Sequence, residues 1–369
     1  MNPAEPSNGR IPWVDTLKGL GIALVVCGHI ANDTLLQHLI YAFHMPLFFF
    51  ISGFLHRPAN DLRRYFRKKT IQLLVPYASF AAIASIPKAA HILRHGLTAH
   101  RMEHGFFVLL WGGAAMKGTY GVLWFLTCLF LTQQLSNWII VRFSRSAFMV
   151  VSAASLLLSY GNSIWFPGDS LPWDANVVLA ALPFFAVGYL LRDFDFGRAI
   201  PVAVGFASIL ATTLLLLRGI PIAYDMRSDI LGVPFLTPLL ALGCILFCIA
   251  ACRLLTFTPV VGSMFKKLGV LSLGIMLIHK ILPAVPGFGR FERHGLLLSF
   301  FVTILCSYFL AQGLLLTRIT RALLLGSERD FAALKLFPLS VFEQRPPSIL
   351  RTFPDSKLQS SQVSPPSLR

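Results

Sequence analysis

About ten long apolar segments constrain the fold of this chain more than any other feature. Each is roughly 17–25 residues long, enough for an α-helix to cross a hydrocarbon layer of about 30 Å. Helix is the expected conformation there, because each backbone polar group must find its hydrogen-bond partner within the segment. We place the segments at residues 16–35, 38–56, 70–87, 119–138, 146–163, 175–191, 199–217, 230–252, 268–286 and 295–317.

The composition agrees with this interpretation. Hydrophobic residues make up 55% of the 369 residues and charged residues only 13%, a balance that a soluble domain of this length does not need for its core. The fold class predicted is therefore an all-α polytopic membrane protein, a bundle of about ten transmembrane helices.

The distribution of positive charge predicts the orientation in the membrane. The formal net charge is +16, which could suggest a nucleic-acid partner. However, Lys and Arg are roughly twice as frequent on one side of the predicted spans as on the other, which is the positive-inside bias. The bias puts both termini in the cytoplasm of a multi-pass protein in the cytoplasmic or plasma membrane, and we expect no nucleic-acid partner.

The first apolar segment carries Lys18 and His29, so we expect it to be retained rather than cleaved as a signal peptide.

The segments and their flanks divide the chain into three parts. We predict a flexible cytoplasmic leader at residues 1–10, a membrane domain at residues 11–321 and a cytoplasmic tail at residues 322–369. The tail begins with a short amphipathic stretch and becomes rich in Pro, Ser and Gln. Such a composition cannot bury enough apolar surface to order itself, so we expect most of the tail to be disordered.

A polar stripe runs along the first predicted span. Lys18 and His29 are eleven residues apart, which at 100° per residue brings them within about 20° of the same helix face. Asp15 and Asp33 extend this stripe. Ionisable groups inside a span are costly and often functional, so the stripe predicts a helix that lines a site. Alternatively, Asp15 and Lys18 anchor the helix end and His29 makes an interhelical hydrogen bond.

The second span contributes a further histidine. His44 lies near its outer end, and the rise along the first helix puts His29 in the same half of the membrane. Pro46 should free a backbone carbonyl and bend the helix, and Ser52 and Gly53 should allow a neighbouring helix to approach closely.

A basic loop is predicted between the second and third spans. It reads Arg63-Arg64-Tyr65-Phe66-Arg67-Lys68-Lys69. Such a cluster suits a phosphorylated ligand, because guanidinium groups bind phosphate through paired hydrogen bonds and Lys adds a point charge. An ordinary positive-inside anchor explains the same residues equally well.

These motifs resemble the integral-membrane acyltransferase-3 family, and within it the branch of fucose 4-O-acetylase-like enzymes. The resemblance covers the whole membrane domain and is strongest over residues 10–80. It rests on Asp15-Thr16-Leu17-Lys18-Gly19 with Gly28-His29, the segment from Phe43 to Phe54, Leu123-Trp124-Phe125-Leu126, and Leu268-Gly269 through Ser272 to Leu277-Ile278-His279.

The resemblance implies an activity and assigns residues to it. Family members move acyl groups, usually acetyl, from cytoplasmic acyl-CoA to extracytoplasmic or lipid-linked glycans. The family's basic residue with a histidine eleven positions later falls on Lys18 and His29, and its Arg-x-x-Arg motif falls on Arg64 and Arg67. The chain departs from the family where Ile275 and Met276 replace a tyrosine found in many relatives before the His279 motif.

Together these points predict a membrane O-acyltransferase. Its donor would be acetyl-CoA or another acyl-CoA, bound by Arg63, Arg64, Arg67 and Lys68. His29 would act as general base or carry the acyl group in a relay, since its unperturbed pKa suits proton abstraction from a sugar hydroxyl. Lys18, Asp15 and His44 complete the predicted catalytic group.

The partners predicted are a glycan or lipid-linked sugar acceptor, the lipid bilayer and, as candidates, polysaccharide biosynthesis proteins. Two other functions stay open: a transporter or flippase of lipid-linked sugars, and an inert partner of a polysaccharide synthase.

Signals for a metal are weak. The loop histidines His91, His95, His100 and His104 have helical spacing, but no further ligand of defined spacing accompanies them. Cys244, Cys248 and Cys252 repeat every four residues, which small-residue packing explains. We therefore predict no metal.

Overall fold

The computed structural model describes residues 11–32, 34–95, 105, 107–285, 288 and 295–334. Within these residues the chain is helical, and its only β-type pairing is an isolated bridge between Asp225 and Ile230. In this part of the chain, nine helices are long and apolar enough to cross a membrane, and a pair bent by 69° gives a tenth if it counts as one span. The predicted fold class is confirmed.

The helices follow the predicted segments closely at most positions. In chain order they are α1 (Pro12–Ile30), α2 (Leu35–Tyr41), α3 (His44–Phe54), α4 (Leu62–Lys69), α5 (Val75–His95), α6 (Trp124–Arg142), α7 (Arg145–Trp165), α8 (Val177–Leu190), α9 (Ala199–Leu217), α10 (Leu236–Leu255), α11 (Pro259–Val270), α12 (Ser272–Ile278), α13 (Leu296–Gly313), α14 (Arg318–Leu323) and α15 (Glu328–Ala333).

Three glycines bring the helices that carry the predicted site into backbone contact with their neighbours. A Cβ atom on Gly19 of α1 would overlap the carbonyl oxygen of Phe265, and one on Gly269 of α11 would overlap that of Asp15. In the same way, Gly53 of α3 lies against the backbone of Phe185 in α8. The close approach predicted at Gly53 is thus confirmed, and α1 is held tightly against α11.

The second predicted span is interrupted. Thr34 caps α2 by accepting a hydrogen bond from the Gln37 N–H, and the helix stops at Tyr41. Ala42 and Phe43 separate it from α3, and Phe43 has a non-helical φ of −147°. Pro46 explains the break, because its ring clashes with the carbonyl four residues earlier and it has no N–H to donate. The helix is thus interrupted one turn before Pro46, and the break sets His44 at the first position of α3.

Residues 63–69 do not form the predicted loop. They lie on α4, which Asp61 caps by accepting a hydrogen bond from the Arg64 N–H. A π-helical turn, Thr70–Leu74, then joins α4 to α5. The capping carboxylate stabilises a helix here, so the basic side chains are held on a regular scaffold.

The ninth predicted span, 268–286, is wrong as one continuous helix. Its first helix begins earlier, at Pro259, and the pair bends by 69° between Val270 and Ser272. Leu271 leaves the helical conformation, with φ −101° and ψ 10°, directly after Gly269 has been fixed against the backbone of α1. The bend redirects α12 and sets the position of His279.

Candidate active site

A cavity of about 980 Å³ opens at the end of the bundle that carries α4. We call this end the basic end, because the cations that line the cavity are Lys18, Arg57, Arg64, Arg67, Lys68 and Lys69. Arg64, Arg67 and Lys68 share one face of α4 through their three- and four-residue spacing. Of the cations predicted to bind phosphate, these three line the cavity, whereas the exposed Arg63 does not.

One acid enters this cavity from the chain that follows the last span. Glu328, the first residue of α15, lines the cavity and lies 3.7 Å from the Lys68 ammonium. It also accepts a hydrogen bond of 2.8 Å from the Gln72 side chain. Nothing in the sequence distinguishes this glutamate from the rest of the predicted tail.

Two charged residues hold α14 and α15 together. The Arg321 guanidinium donates two hydrogen bonds to the Asp330 carboxylate, at 2.9 and 3.0 Å. These bonds, and then one from the Ser327 hydroxyl, lower the pKa of Asp330 to about 2. The carboxylate is therefore ionised at every physiological pH, and the clamp fixes Glu328 over the cavity.

Lys18 and Asp15 form an ion pair at the basic end. The Lys18 Nζ lies 3.3 Å from Asp15 Oδ1, and Lys18 lines the cavity. Asp15 is buried, and the structure gives its second oxygen, Oδ2, no hydrogen-bond partner among the described residues. Asp15 therefore holds Lys18 at the cavity through Oδ1, while its Oδ2 can still accept a hydrogen bond.

His56 is a further cavity residue that sequence reasoning missed. Its ring is buried against Tyr65, Phe185 and Tyr189. Burial, followed by the positive charges of Lys69 and Arg192, lowers the pKa of His56 to about 4. The imidazole is therefore neutral at pH 7 and adds no positive charge to the cavity.

The opposite end of the same helices carries a cluster of imidazole and phenol rings. His29 and His279 stack with their ring centroids 5.3 Å apart. The Tyr41 hydroxyl lies 3.2 Å from His29 Nδ1, and the Tyr41 ring is 4.8 Å from that of His44. We call these four residues the histidine cluster. The structure thus brings His29 and His44 to one place around Tyr41, which sequence reasoning did not single out.

Backbone contacts set the tautomers of two rings in the cluster. His44 Nδ1 lies 3.1 Å from the Ile40 carbonyl oxygen, and His279 Nδ1 lies 3.1 Å from that of Ile275. A carbonyl oxygen only accepts hydrogen bonds, so each Nδ1 carries the proton and each neutral Nε2 carries a lone pair. His29 differs, because the Tyr41 hydroxyl that it contacts can either donate or accept.

The cavity and the histidine cluster lie close together but do not merge. Phe48 and Met276 line the inner end of the cavity, and they are one helical turn from His44 and His279 respectively. The Phe48 ring packs against Gly21 of α1 and against Phe125. Phe48 and Met276 therefore stand between the basic end and the histidines.

The predicted catalytic residues fall into two groups as a result. Lys18 and His29 share a face of α1, but the rise between them is about 16 Å. Lys18 and Asp15 accordingly belong to the cavity, and His29 and His44 to the histidine cluster. Lys18 therefore does not touch His29.

Other predicted features have less bearing on the site. Asp33 lies outside the described residues, as do His100, His104, the leader to residue 10 and the tail from residue 335; the side chains of His91 and His95 are not described. Cys244, Cys248 and Cys252 are buried in α10. No group of metal-ligating side chains occurs among the residues that the structure describes.

Comparison with known proteins gives the chain a family context. The acyltransferase-3 family model, an acyltransferase domain, matches residues 11–312, well over half of the chain. Nodulation protein NolL of Sinorhizobium fredii is 27% identical over 206 residues, 51% of this chain and 50% of that protein. NolL of Mesorhizobium japonicum is 28% identical over 206 residues, 52% and 50% of the two chains. The chain thus spans about half the length of these curated relatives. No solved structure matches it.

Proposed function

The chain belongs to the acyltransferase-3 family, and from this membership we propose that it is a membrane O-acyltransferase of the fucose 4-O-acetylase-like branch, which moves an acetyl group from acetyl-CoA to a glycan hydroxyl. One observation carries the proposal: a cation-lined cavity ends one helical turn from a cluster of three histidines. An anionic thioester donor and a proton acceptor are thereby brought to opposite ends of one path.

The donor would occupy the basic end. Coenzyme A carries several phosphate charges, and Arg64, Arg67 and Lys68 present guanidinium and ammonium groups to the cavity. Lys18 adds a cation deeper in the cavity, paired with Asp15. The positive-inside bias favours the cytoplasmic side for this end, where acyl-CoA is found. The narrow pantetheine arm would then extend toward Phe48, whose ring must turn aside for the thioester to reach the histidines.

The acceptor hydroxyl would be activated in the histidine cluster. When His29 Nδ1–H donates to the Tyr41 oxygen, its Nε2 is free to take the hydroxyl proton. The acceptor oxygen bonds to the acetyl carbonyl carbon, the thioester C–S bond breaks, and CoA leaves as a thiolate that takes up a proton. His44 and His279 keep their own Nδ1 protons on backbone carbonyls and pack around this step.

Acyl transfer by the purified protein tests the proposal. The protein in lipid nanodiscs, given acetyl-CoA labelled in the acetyl group, is expected to transfer the label to glycans extracted from the source cells. A transporter or flippase of lipid-linked sugars would instead move the sugar across vesicles without transferring label. Sugar transport with no acetylated product would contradict the proposal.

Glu328 offers a prediction on the donor side. Glu328→Gln removes a negative charge from the cavity and releases Lys68, while the amide oxygen introduced by the substitution can still accept the hydrogen bond from Gln72. We expect acetyl-CoA to bind about 2–5-fold more tightly to the variant, the range for an exposed ion pair. Isothermal titration in nanodiscs measures this, with the exposed Asp193→Asn as a charge-matched control. Unchanged or weaker binding would show that Glu328 does not compete with the donor.

A further inference from the structure

A second cavity, of about 440 Å³, lies among three loops. The loops contribute Lys117, Asp169, Asp174, Asn176, Arg227 and Asp229. Its volume is in the range of small-molecule pockets. No part of the donor site described above lines this cavity, and most of its lining residues are polar or charged.

The cavity walls have a built geometry. Asp174 is fully buried, and Gly113 leaves room for its carboxylate, since a Cβ there would overlap it. Asn176 is also buried, and its side-chain oxygen accepts a hydrogen bond from the Leu171 N–H at 3.2 Å. Asp229 accepts one from the Asn162 amide at 2.8 Å. The carboxylate and amide groups are thus held in place by their neighbours.

The charges of the lining residues favour one class of ligand. Three carboxylates face two cations, so the cavity is net negative and disfavours phosphate and other anions. Carboxylates accept hydrogen bonds from hydroxyls, and Arg, Lys and Asn donate to them. Neutral ligands that carry many hydroxyl groups match this set of donors and acceptors.

One loop connects the cavity to the histidine cluster. Arg227 lines the cavity and lies three residues after Tyr224 in the same loop. The Tyr224 N–H donates a hydrogen bond of 3.2 Å to the Tyr41 carbonyl oxygen, which ties the loop to α2. A ligand in this cavity would therefore be held by a loop that is bonded to Tyr41, the residue whose hydroxyl contacts the proposed general base.

We propose that this second cavity binds a neutral sugar ring of the acceptor, with Asp229 and Asp169 accepting hydrogen bonds from its hydroxyls. The proposal rests on the function proposed above and adds to it a location and a charge class for the acceptor. In this arrangement the second cavity receives the acceptor and the basic end receives the donor.

Charge-removing variants test the proposal. Asp229 has a left-handed φ of 57°, a conformation that asparagine also adopts readily, so Asp229→Asn keeps both size and backbone. Asp169→Asn is the second variant, and Asp193→Asn is the matched control outside the cavity. Each is given labelled acetyl-CoA with methyl glycosides of glucose, galactose, fucose and glucuronic acid, and with glycans extracted from the source cells.

The expected result has two parts. Asp229→Asn and Asp169→Asn should raise the KM for the accepted neutral acceptor about 5–20-fold, the loss expected for one or two hydrogen bonds, with the KM for acetyl-CoA unchanged. They should also shift preference toward the glucuronoside, which a merely structural role would not do. Wild-type-like kinetics in both variants would overturn the cavity assignment and leave the proposed function standing. Failure of the wild type to acetylate any of these acceptors would overturn the proposed function and, with it, the cavity assignment.

Discussion

Replacement of His29 with alanine is expected to lower the kcat for acetyl transfer by about 10²–10⁴-fold, the usual contribution of a general base. The reason is the ring's position, because it stacks on His279 and contacts the Tyr41 hydroxyl. The Nδ1 atoms of the other two imidazoles contact backbone carbonyls, so each of those rings is held in its own position rather than in that of His29. The KM for acetyl-CoA should change little, because His29 does not line the cavity and Lys18, the donor-site cation on α1, is already about 16 Å from His29 along the helix.

His38→Ala provides the matched control for this prediction. His38 lies on α2, is exposed, and contacts the Thr34 carbonyl oxygen through its Nδ1. Its removal should leave kcat within about twofold, as expected for a surface substitution. Equal losses in the two variants, or a His29→Ala enzyme that retains wild-type kcat after correct insertion, would remove His29 from the mechanism.

Replacement of Arg67 with alanine is expected to raise the KM for acetyl-CoA about 10–100-fold, in line with about 1.5–3 kcal/mol for a hydrogen bond to a charged group. Arg67 lines the cavity beside Arg64 and Lys68 on the same face of α4. The loss should appear mainly in KM, since the guanidinium binds the phosphates and does not touch the reacting atoms. Initial rates over a range of acetyl-CoA concentrations measure it.

Arg63→Ala distinguishes a local contact from a general charge effect. Arg63 is on the same helix and carries the same charge, but it is exposed and does not line the cavity. Its KM should stay within about threefold of wild type, because exposed charges interact weakly through solvent. Equal effects at the two positions would indicate that α4 acts only as a positive-inside anchor.

The fold was largely predictable, because the length of an apolar segment reports directly on the membrane. The exceptions lie where a contact between helices or a helix cap decides the local conformation. Span nine breaks after Gly269, which packs on the α1 backbone, and such a tertiary contact leaves no trace in hydropathy. The polarity of residues 63–69 suggests a loop, although the Asp61 cap in the sequence already favours a helix.

The candidate site was predictable only in part, because helix geometry locates residues within one helix but not the breaks and contacts between helices. Helical periodicity put Lys18 and His29 on one face, and the rise along α1 put His29 and His44 in the same half of the membrane. Neither the periodicity nor the rise could show that Tyr41 lies between the two histidines, because the break at Ala42 and Phe43 decides where Tyr41 lies.

The positions of two further site residues, His279 and Glu328, depend on packing that the sequence does not reveal. His279 was visible as an intramembrane histidine, but its stacking on His29 depends on the bend before α12. Glu328 carried no signal at all, because a single glutamate in a polar segment looks like any other until α15 packs over the cavity.

The central claim is that a donor held at the basic end reaches His29 past Phe48. A cryo-EM structure of the wild-type protein in nanodiscs, with the stable thioether analogue of acetyl-CoA, tests it most directly through the distance from the analogue's carbonyl carbon to His29 Nε2. We expect the phosphates on Arg64, Arg67 and Lys68, the Phe48 ring turned away from Gly21, and that distance within about 4–6 Å, which leaves room for the acceptor oxygen. A bound analogue whose acyl end stays on the basic side of an unmoved Phe48, or lies outside the bundle, would contradict the account.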